Sequence, residues 1–318
     1  MDIIDRKILC ELDSNCRQPL SQLAKKLRIG RNVAAYRIAN LEKQGIILKY
    51  ISTINLGKLG YKTYRLFFKL HYNKHTEPQF IRTLIKNKSV LYCIKTEGGY
   101  DYSIAVAVKN IVELDAFIMD LKYEFKDLIE ECNFNIVVYT KIFKADKRLL
   151  DKKTTTPKIE KYSGEEKLLN IDNADRQILK ILSQASNTHI IDIAKKTKLT
   201  IDIVKYRLRR LQKELITSNR VLIDLNAIGY HQYHLLLQLK NHSMKDERKI
   251  ISWCASQACV THCSKRIGSF DFSINIAIKD LNELNNFISE FKHQFNEILK
   301  AYTTMINNKL LKLNYFPF

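Results

Sequence analysis

The sequence predicts an α+β chain in which one two-part unit occurs twice. Two observations carry this reading. The chain matches itself at a shift of 170 residues, and within each half the apolar spacing changes from a helical period to an alternating one. The match starts where Asp5-Arg6-Lys7-Ile8-Leu9 lies over Asp175-Arg176-Gln177-Ile178-Leu179. It runs on through Ala24-Lys25-Lys26 over Ala194-Lys195-Lys196, Tyr36-Arg37 over Tyr206-Arg207, and Leu41 over Leu211. After a one-residue slip, Leu59-Gly60-Tyr61 falls over Ile228-Gly229-Tyr230. The first register then returns, with Gly98-Gly99-Tyr100-Asp101 over Gly268-Ser269-Phe270-Asp271. A period this long marks a duplicated domain pair, not a solenoid.

Each half opens with three short helices. Ile8, Leu9 and Leu12 form one helical stripe; Leu20, Leu23, Ala24 and Leu27 form a second, with Pro19 suited to its first turn. Ala34, Ile38 and Leu41 form a third, and Gly45 stands where a helix stops. The second half repeats the stripes as Ile178/Leu179/Leu182, Ile190/Ile193/Ala194 and Val204/Leu208/Leu211. Beyond Gly45, the run Ile46 to Ile51 reads as a strand and as the wing of a winged helix-turn-helix. Alternation then predicts strands over Tyr64–Leu70, Val90–Lys95, Tyr102–Val108 and Phe134–Phe143. Helices are expected over Glu77–Lys86 and Val112–Phe125. That strand-helix-strand-strand-helix-strand order is ferredoxin-like, βαββαβ. The second half gives the same order over His234–Leu239, Asp246–Ala255, Val260–Lys265, Phe272–Ile278, Leu281–Phe295 and Tyr302–Leu311. Boundaries follow: a winged helix-turn-helix over 1–60, a ferredoxin-like domain over 61–150, a polar linker over 151–170, and the second pair over 171–229 and 230–318.

Composition limits the function. With 318 residues, 46% hydrophobic and 27% charged, the chain is globular and large enough for several cores. Only 9 Gly and 4 Pro argue against a fibrous or disordered chain. No apolar run reaches the ~18 residues of a membrane span, and the start lacks the basic-then-apolar pattern of a secretory signal. Seven scattered cysteines fit free thiols in a reducing cytoplasm. Against this neutral background the charge stands out: 53 Lys+Arg face 33 Asp+Glu, a formal +20. Such a field favours polyanions. The excess is concentrated at the starts of both halves, with 10 basic to 5 acidic residues over 1–50 and 11 to 5 over 171–220.

A helix-turn-helix lays its third helix in the DNA major groove. The stripe Ala34/Ile38/Leu41 holds that helix down, so the opposite face is free. It carries Arg31, Asn32, Ala35, Tyr36 and Asn40, with Arg37 beside them. In the second half the face carries Asp202, Lys205, Tyr206, Arg209 and Arg210, with Arg207. Arg and Asn are the residue types that read guanine and adenine edges. Lys25, Lys26, Lys195 and Lys196 suit phosphate contact, which positions without specifying. A bland alternative is a solvated helix face, but the pattern and the charge coincide in both halves.

Other signals weigh less. Cys254, Cys259, His262 and Cys263 cluster, but the spacing fits no common zinc site, and neighbours on a strand point to opposite faces. No metal is expected. No phosphate loop, nucleophile elbow or useful carboxylate pair occurs, so no catalytic residue and no cofactor are expected. His231 and His234 sit around a strand start, where exposure is the default. Gly98 and Asp101, like Gly268 and Asp271, read first as tight hairpin turns in which the aspartate caps the backbone.

The run Asp5-Arg6-Lys7-Ile8-Leu9, then Arg17, Leu23-Ala24, Arg37-Ile38, Leu41-Glu42, Gly45-Ile46-Ile47 and Gly98-Gly99-Tyr100-Asp101 resembles the Lrp/AsnC (feast/famine) regulators. The resemblance covers essentially the whole chain as two fused copies. It implies a DNA-binding transcriptional regulator in the cytoplasm, at the nucleoid, with double-stranded DNA as partner. It also implies self-association through the ferredoxin-like domains and an amino-acid effector near Gly98, Asp101, Gly268 and Asp271. Departures are plain. Gly30 replaces the helix cap, Asn187 stands where the first half has Arg17, and Leu215 stands where it has Gly45. The tandem arrangement suggests an internal pseudo-dimer. Siroheme decarboxylases resemble the family in fold and offer an enzymatic alternative. A weakly specific, chromatin-like DNA binder is a third.

Overall fold

A computed structural model describes the chain except residues 144, 151–157, 161–166 and 317, and gives only the backbone of 146, 147 and 158–160. Most of the predicted linker thus lies outside the described residues.

Each half begins with the three expected helices: α1 (Ile3–Ser14), α2 (Leu20–Leu27) and α3 (Arg31–Lys43), then, after the first sheet, α7 (Asn173–Gln184), α8 (Ile190–Thr197) and α9 (Ile201–Glu214). Capping boxes start α1 and α7: the Asp2 carboxylate meets Asp5, and that of Asp172 meets Asp175. The turn between second and third helix is left-handed at Arg28 and Lys198.

The strand after each third helix takes its partner from the other half. β1 (Ile47–Ile54) has no hairpin partner in its own head. It pairs antiparallel with β7 (Ile216–Ile223) of the other half. A lone strand leaves a row of unpaired backbone groups, and the duplicate strand is the surface that satisfies them. The tie is reciprocal: Cys16 N donates to Asn219 O, and Ser186 N donates to Tyr50 O, both at 3.0 Å.

The rest of the first half is β2 (Lys62–Leu70), α4 (Glu77–Lys86), β3 (Val90–Gly98), β4 (Tyr102–Val108), α5 (Ile111–Glu124) and β5 (Ile129–Ile142), followed by α6 (Ala145–Leu150) and the short β6 (Lys158–Glu160). The second half repeats it as β8 (His231–Leu239), α10 (Met244–Ser256), β9 (Val260–Gly268), β10 (Phe272–Ile278), α11 (Leu281–Phe295) and β11 (Leu299–Leu313). The βαββαβ order is as predicted, but β5 and β11 are longer than the alternation indicated. Their C-terminal parts join the halves. β5 bonds β2 along its first part and β9 along its last. β11 does the same with β8 and then β3. The strands therefore run β2-β4-β3-β11-β8-β10-β9-β5 and back to β2, a closed ring of eight with β6 added beside β5. Closure leaves no open edge in the ring.

Strand alternation divides the core. The outward residues Tyr64, Leu66, Phe68, Ile104 and Val106 pack on Phe80 and Leu84 of α4 and on Leu114 and Phe117 of α5. Leu235, Leu237, Ile274 and Ile276 do the same under α10 and α11. The inward residues Phe67, Leu236 and Met305 meet Tyr100 and Phe270 from the two hairpin turns inside the ring. Those turns also explain their glycines. Gly98 has φ +109°, and a Cβ there would lie 2.7 Å from Thr304 O of β11; at Gly268, φ +136°, it would lie 2.7 Å from Phe134 O of β5. Each turn is pressed against the long strand of the opposite half, where only glycine fits.

The candidate nucleic-acid interface

On α3, Ala34 and Leu41 are buried and Ile38 is half-buried, so the predicted stripe faces the head. Arg31, Asn32, Ala35, Tyr36, Ala39 and Asn40 are exposed together. On α9, Val204, Leu208 and Leu211 face in, while Asp202, Lys205, Tyr206 and Arg209 are exposed. Tyr36 and Tyr206 occupy one place in the repeat and are 74% and 70% exposed. Large aromatic side chains left this open, ringed by cations and amides, are the kind of surface that packs on sugars and base methyls. Lys25, Lys26, Lys195 and Lys196 are exposed on the preceding helices; Lys26 is also paired with Glu11 at 2.7 Å.

Three of the predicted arginines are engaged within their heads. Arg37 bridges Asp2 at 2.7 Å and Asp5 at 2.8 Å. Arg207 bridges Asp172 at 2.7 Å and Asp175 at 2.9 Å, and Arg210 also binds Asp175. These pairs fasten the third helix to the start of the first. They draw the guanidiniums away from the outer face. In α9, Lys205 lies 3.5 Å from the exposed Asp202. The least encumbered donors are therefore Arg31 and Asn32 in the first head and Arg209 in the second.

The helix starts match the sequence. Gly30 supplies no side-chain cap, whereas the Thr200 hydroxyl accepts from Ile203 N at 3.3 Å. The heads are also locked to one another. The Arg17 guanidinium donates to Ser186 O and, at 3.1 Å, to Thr188 O. Arg220 of β7 meets Asp13 of α1 through two nitrogens, at 2.9 and 2.6 Å.

The Gly98 and Gly268 turns sit apart from this surface. The Asp101 carboxylate accepts from Leu70 N at 2.8 Å, and that of Asp271 from Leu239 N at 2.7 Å. Both tie the hairpin turn to the neighbouring strand, β2 in the first half and β8 in the second. Cys254 and Cys263 are core residues, and no cluster of three or more metal-ligating side chains occurs among the described residues. His234 departs from its expected exposure: it is 5% exposed and points into the ring. It belongs to a group that the sequence reading missed. Arg65, Tyr92, His262 and Arg266 also stand on inward strand positions.

Residues 1–47 and 171–214 each match the family model described as winged helix-turn-helix DNA-binding. A proline dehydrogenase transcriptional activator of Rhodobacter capsulatus is 32% identical over 116 residues, which is 36% of this chain and 75% of that protein. The HTH-type transcriptional regulator FL11 of Pyrococcus abyssi is 28% identical over 119 residues, 37% of this chain and 78% of the relative. Among solved structures, the siroheme decarboxylase NirDL superposes with a TM-score of 0.65 at 13% identity, over 99% of this chain and 94% of that one, a likeness of fold. No described helix is long and apolar enough to cross a membrane. The spaced motifs, the two matched heads and the related regulators agree: this chain belongs to the Lrp/AsnC family of winged helix-turn-helix DNA-binding regulators, with the family's unit present twice.

Proposed function

We propose that the chain is a sequence-specific transcriptional regulator in which one polypeptide does the work of a dimer. It has no catalytic role in this reading and acts in the cytoplasm, on the nucleoid. Both heads face one duplex, and a small-molecule effector modulates binding. The observation that carries the reading is the twice-repeated exposed face of α3 and α9, with Tyr36 and Tyr206 at matched positions. The ties between β1 and β7 and between Arg17 and the second head support a fixed spacing of the two. Arg31, Asn32, Ala35, Tyr36 and Asn40 read bases in the first head. Lys205, Tyr206 and Arg209 do so in the second. Arg37, Arg207 and Arg210 act by orienting these helices, and Lys25, Lys26, Lys195 and Lys196 take phosphates. A role for Gly98, Asp101, Gly268 and Asp271 in effector binding rests on the resemblance alone.

Because the heads present different donors, their preferred half-sites differ. Selection from a random duplex pool tests this. The expected product is two unlike half-sites about one helical turn apart. An unenriched pool marks a chromatin-like binder. Absence of DNA binding together with a Soret band in the purified protein favours a decarboxylase-like enzyme of the same fold.

A further inference from the structure

Beside the apolar group of Phe67, Leu236 and Met305, the inside of the strand ring carries arginines. Strand parity places Thr63, Arg65 and Phe67 of β2, Tyr92 of β3, His234 of β8, His262, Ser264 and Arg266 of β9, and Asn275 of β10 on the inner face, opposite the residues that pack under the helices. These groups adjoin. Asn275 lies directly between His234 and His262 across three strands. Arg266 Nη2 is 3.3 Å from His234 Nε2, and its guanidinium is 5.3 Å from the Phe67 ring. The Arg65 guanidinium is 4.7 Å from the centre of the Tyr92 ring.

Arg266 is 2% exposed, yet among the described residues its Nε and Nη1 have no hydrogen-bond partner, and neither has Asn275 Oδ1. Among the described residues, no carboxylate forms an ion pair with Arg65 or Arg266. A buried guanidinium without a counter-charge is costly, and a protein keeps one where an anion completes it. Burial first, then Arg266, Arg65 and His262, holds His234 well below the ordinary imidazole range. Burial, then Arg220, Arg148 and Arg65, pushes His262 down to about 3. Both rings are then neutral near pH 7, and each offers one donor and one acceptor.

We propose that the interior of the ring is a binding site for a small organic carboxylate, with Arg266 and Arg65 meeting its charge and His234, His262 and Asn275 orienting its polar groups. An eight-stranded ring is just wide enough for its side chains to fill it or for one small ligand to enter it. The site rests on the ring alone; its role as the effector pocket rests on the regulator reading above.

Calorimetric titration of the full chain with citrate, succinate and L-glutamate tests the site. At least one probe should bind saturably, one per chain. Affinity should fall at least tenfold in Arg266→Met and in Arg65→Met, and stay within twofold of the parent in Lys245→Ala on the outer surface. Without ligand, Arg266→Met should melt at or above the parent temperature, because it removes an uncompensated buried charge. No saturable binding of any probe overturns the proposal. So does binding that both arginine variants retain, or a bound tetrapyrrole revealed by a Soret band in the purified chain. Should Arg266→Met fail to fold, Arg65→Met and the parent titration still decide. DNA affinity measured with and without the bound probe separates the two readings. A chain that takes the carboxylate but binds no DNA refutes the regulator and leaves the site standing.

Discussion

At the foot of the first head, Asp5 is 18% exposed and receives Arg37, which it shares with Asp2. At the same place in the second head, Asp175 is fully buried and receives both Arg207 and Arg210. The residue matching Arg210 is Asn40, which stays exposed on α3. The second head thus uses on its own framework a cation whose counterpart in the first head is an amide open to solvent. Between the heads the asymmetry reverses. Arg17 of the first reaches across to the second, whereas Asn187 holds the matching place there. One copy of a duplicated reader is built to hold, and the other keeps more of its face for contact.

That contrast can be broken at its root. Asp175→Ala removes a carboxylate that two guanidiniums meet in the interior and should cost about 3–5 kcal/mol of unfolding free energy. Asp5→Ala opens a partly hydrated pair and one half of a capping box, for about 1 kcal/mol. Denaturant unfolding of both variants is the check. Equal losses would show that the heads are held alike.

On the binding side the larger effect should lie in the first head. Arg31→Ala should cost roughly 1–3 kcal/mol on the selected site and relax one base position. Lys25→Ala should weaken all sequences about equally, as expected for a phosphate contact. A fluorescence titration on selected and scrambled duplexes tells them apart; two variants that both bind like the parent would mean that α3 does not face the DNA.

The heads also differ at the start of the third helix, where a cap should add little. Gly30→Ser gives α3 the cap that Thr200 gives α9. A Cβ at Gly30 would meet only Val33, at 3.7 Å, and the backbone there is extended. The gain should be a few tenths of a kcal/mol, read as a rise in melting temperature. A fall would mean that this turn needs the freedom of glycine.

The heads and both βαββαβ units were legible because their signals are local: stripes at helical spacing, alternation, and a repeat. What was not legible depended on closure. Tyr64 to Leu70 reads as an alternating strand, and alternation alone does not say what covers the face that carries Arg65. Only when β5 and β11 close the ring does that side become an interior. His234 was placed outside for the same reason. The run Ile46 to Ile51 reads as a strand after the third helix of the first half, but its partner lies about 170 residues away, beyond any local signal. The engagement of Arg37, Arg207 and Arg210 is another long-range fact, because their carboxylates sit about 32 to 35 residues earlier in the chain.

In the proposed regulator two basic heads of one chain grip the same duplex. The salt dependence of its affinity tests this most directly. If each head neutralises about four phosphates, the logarithm of the affinity against the logarithm of salt concentration should fall with a slope near −7. A slope flatter than about −2 would mean that the heads do not hold the duplex together.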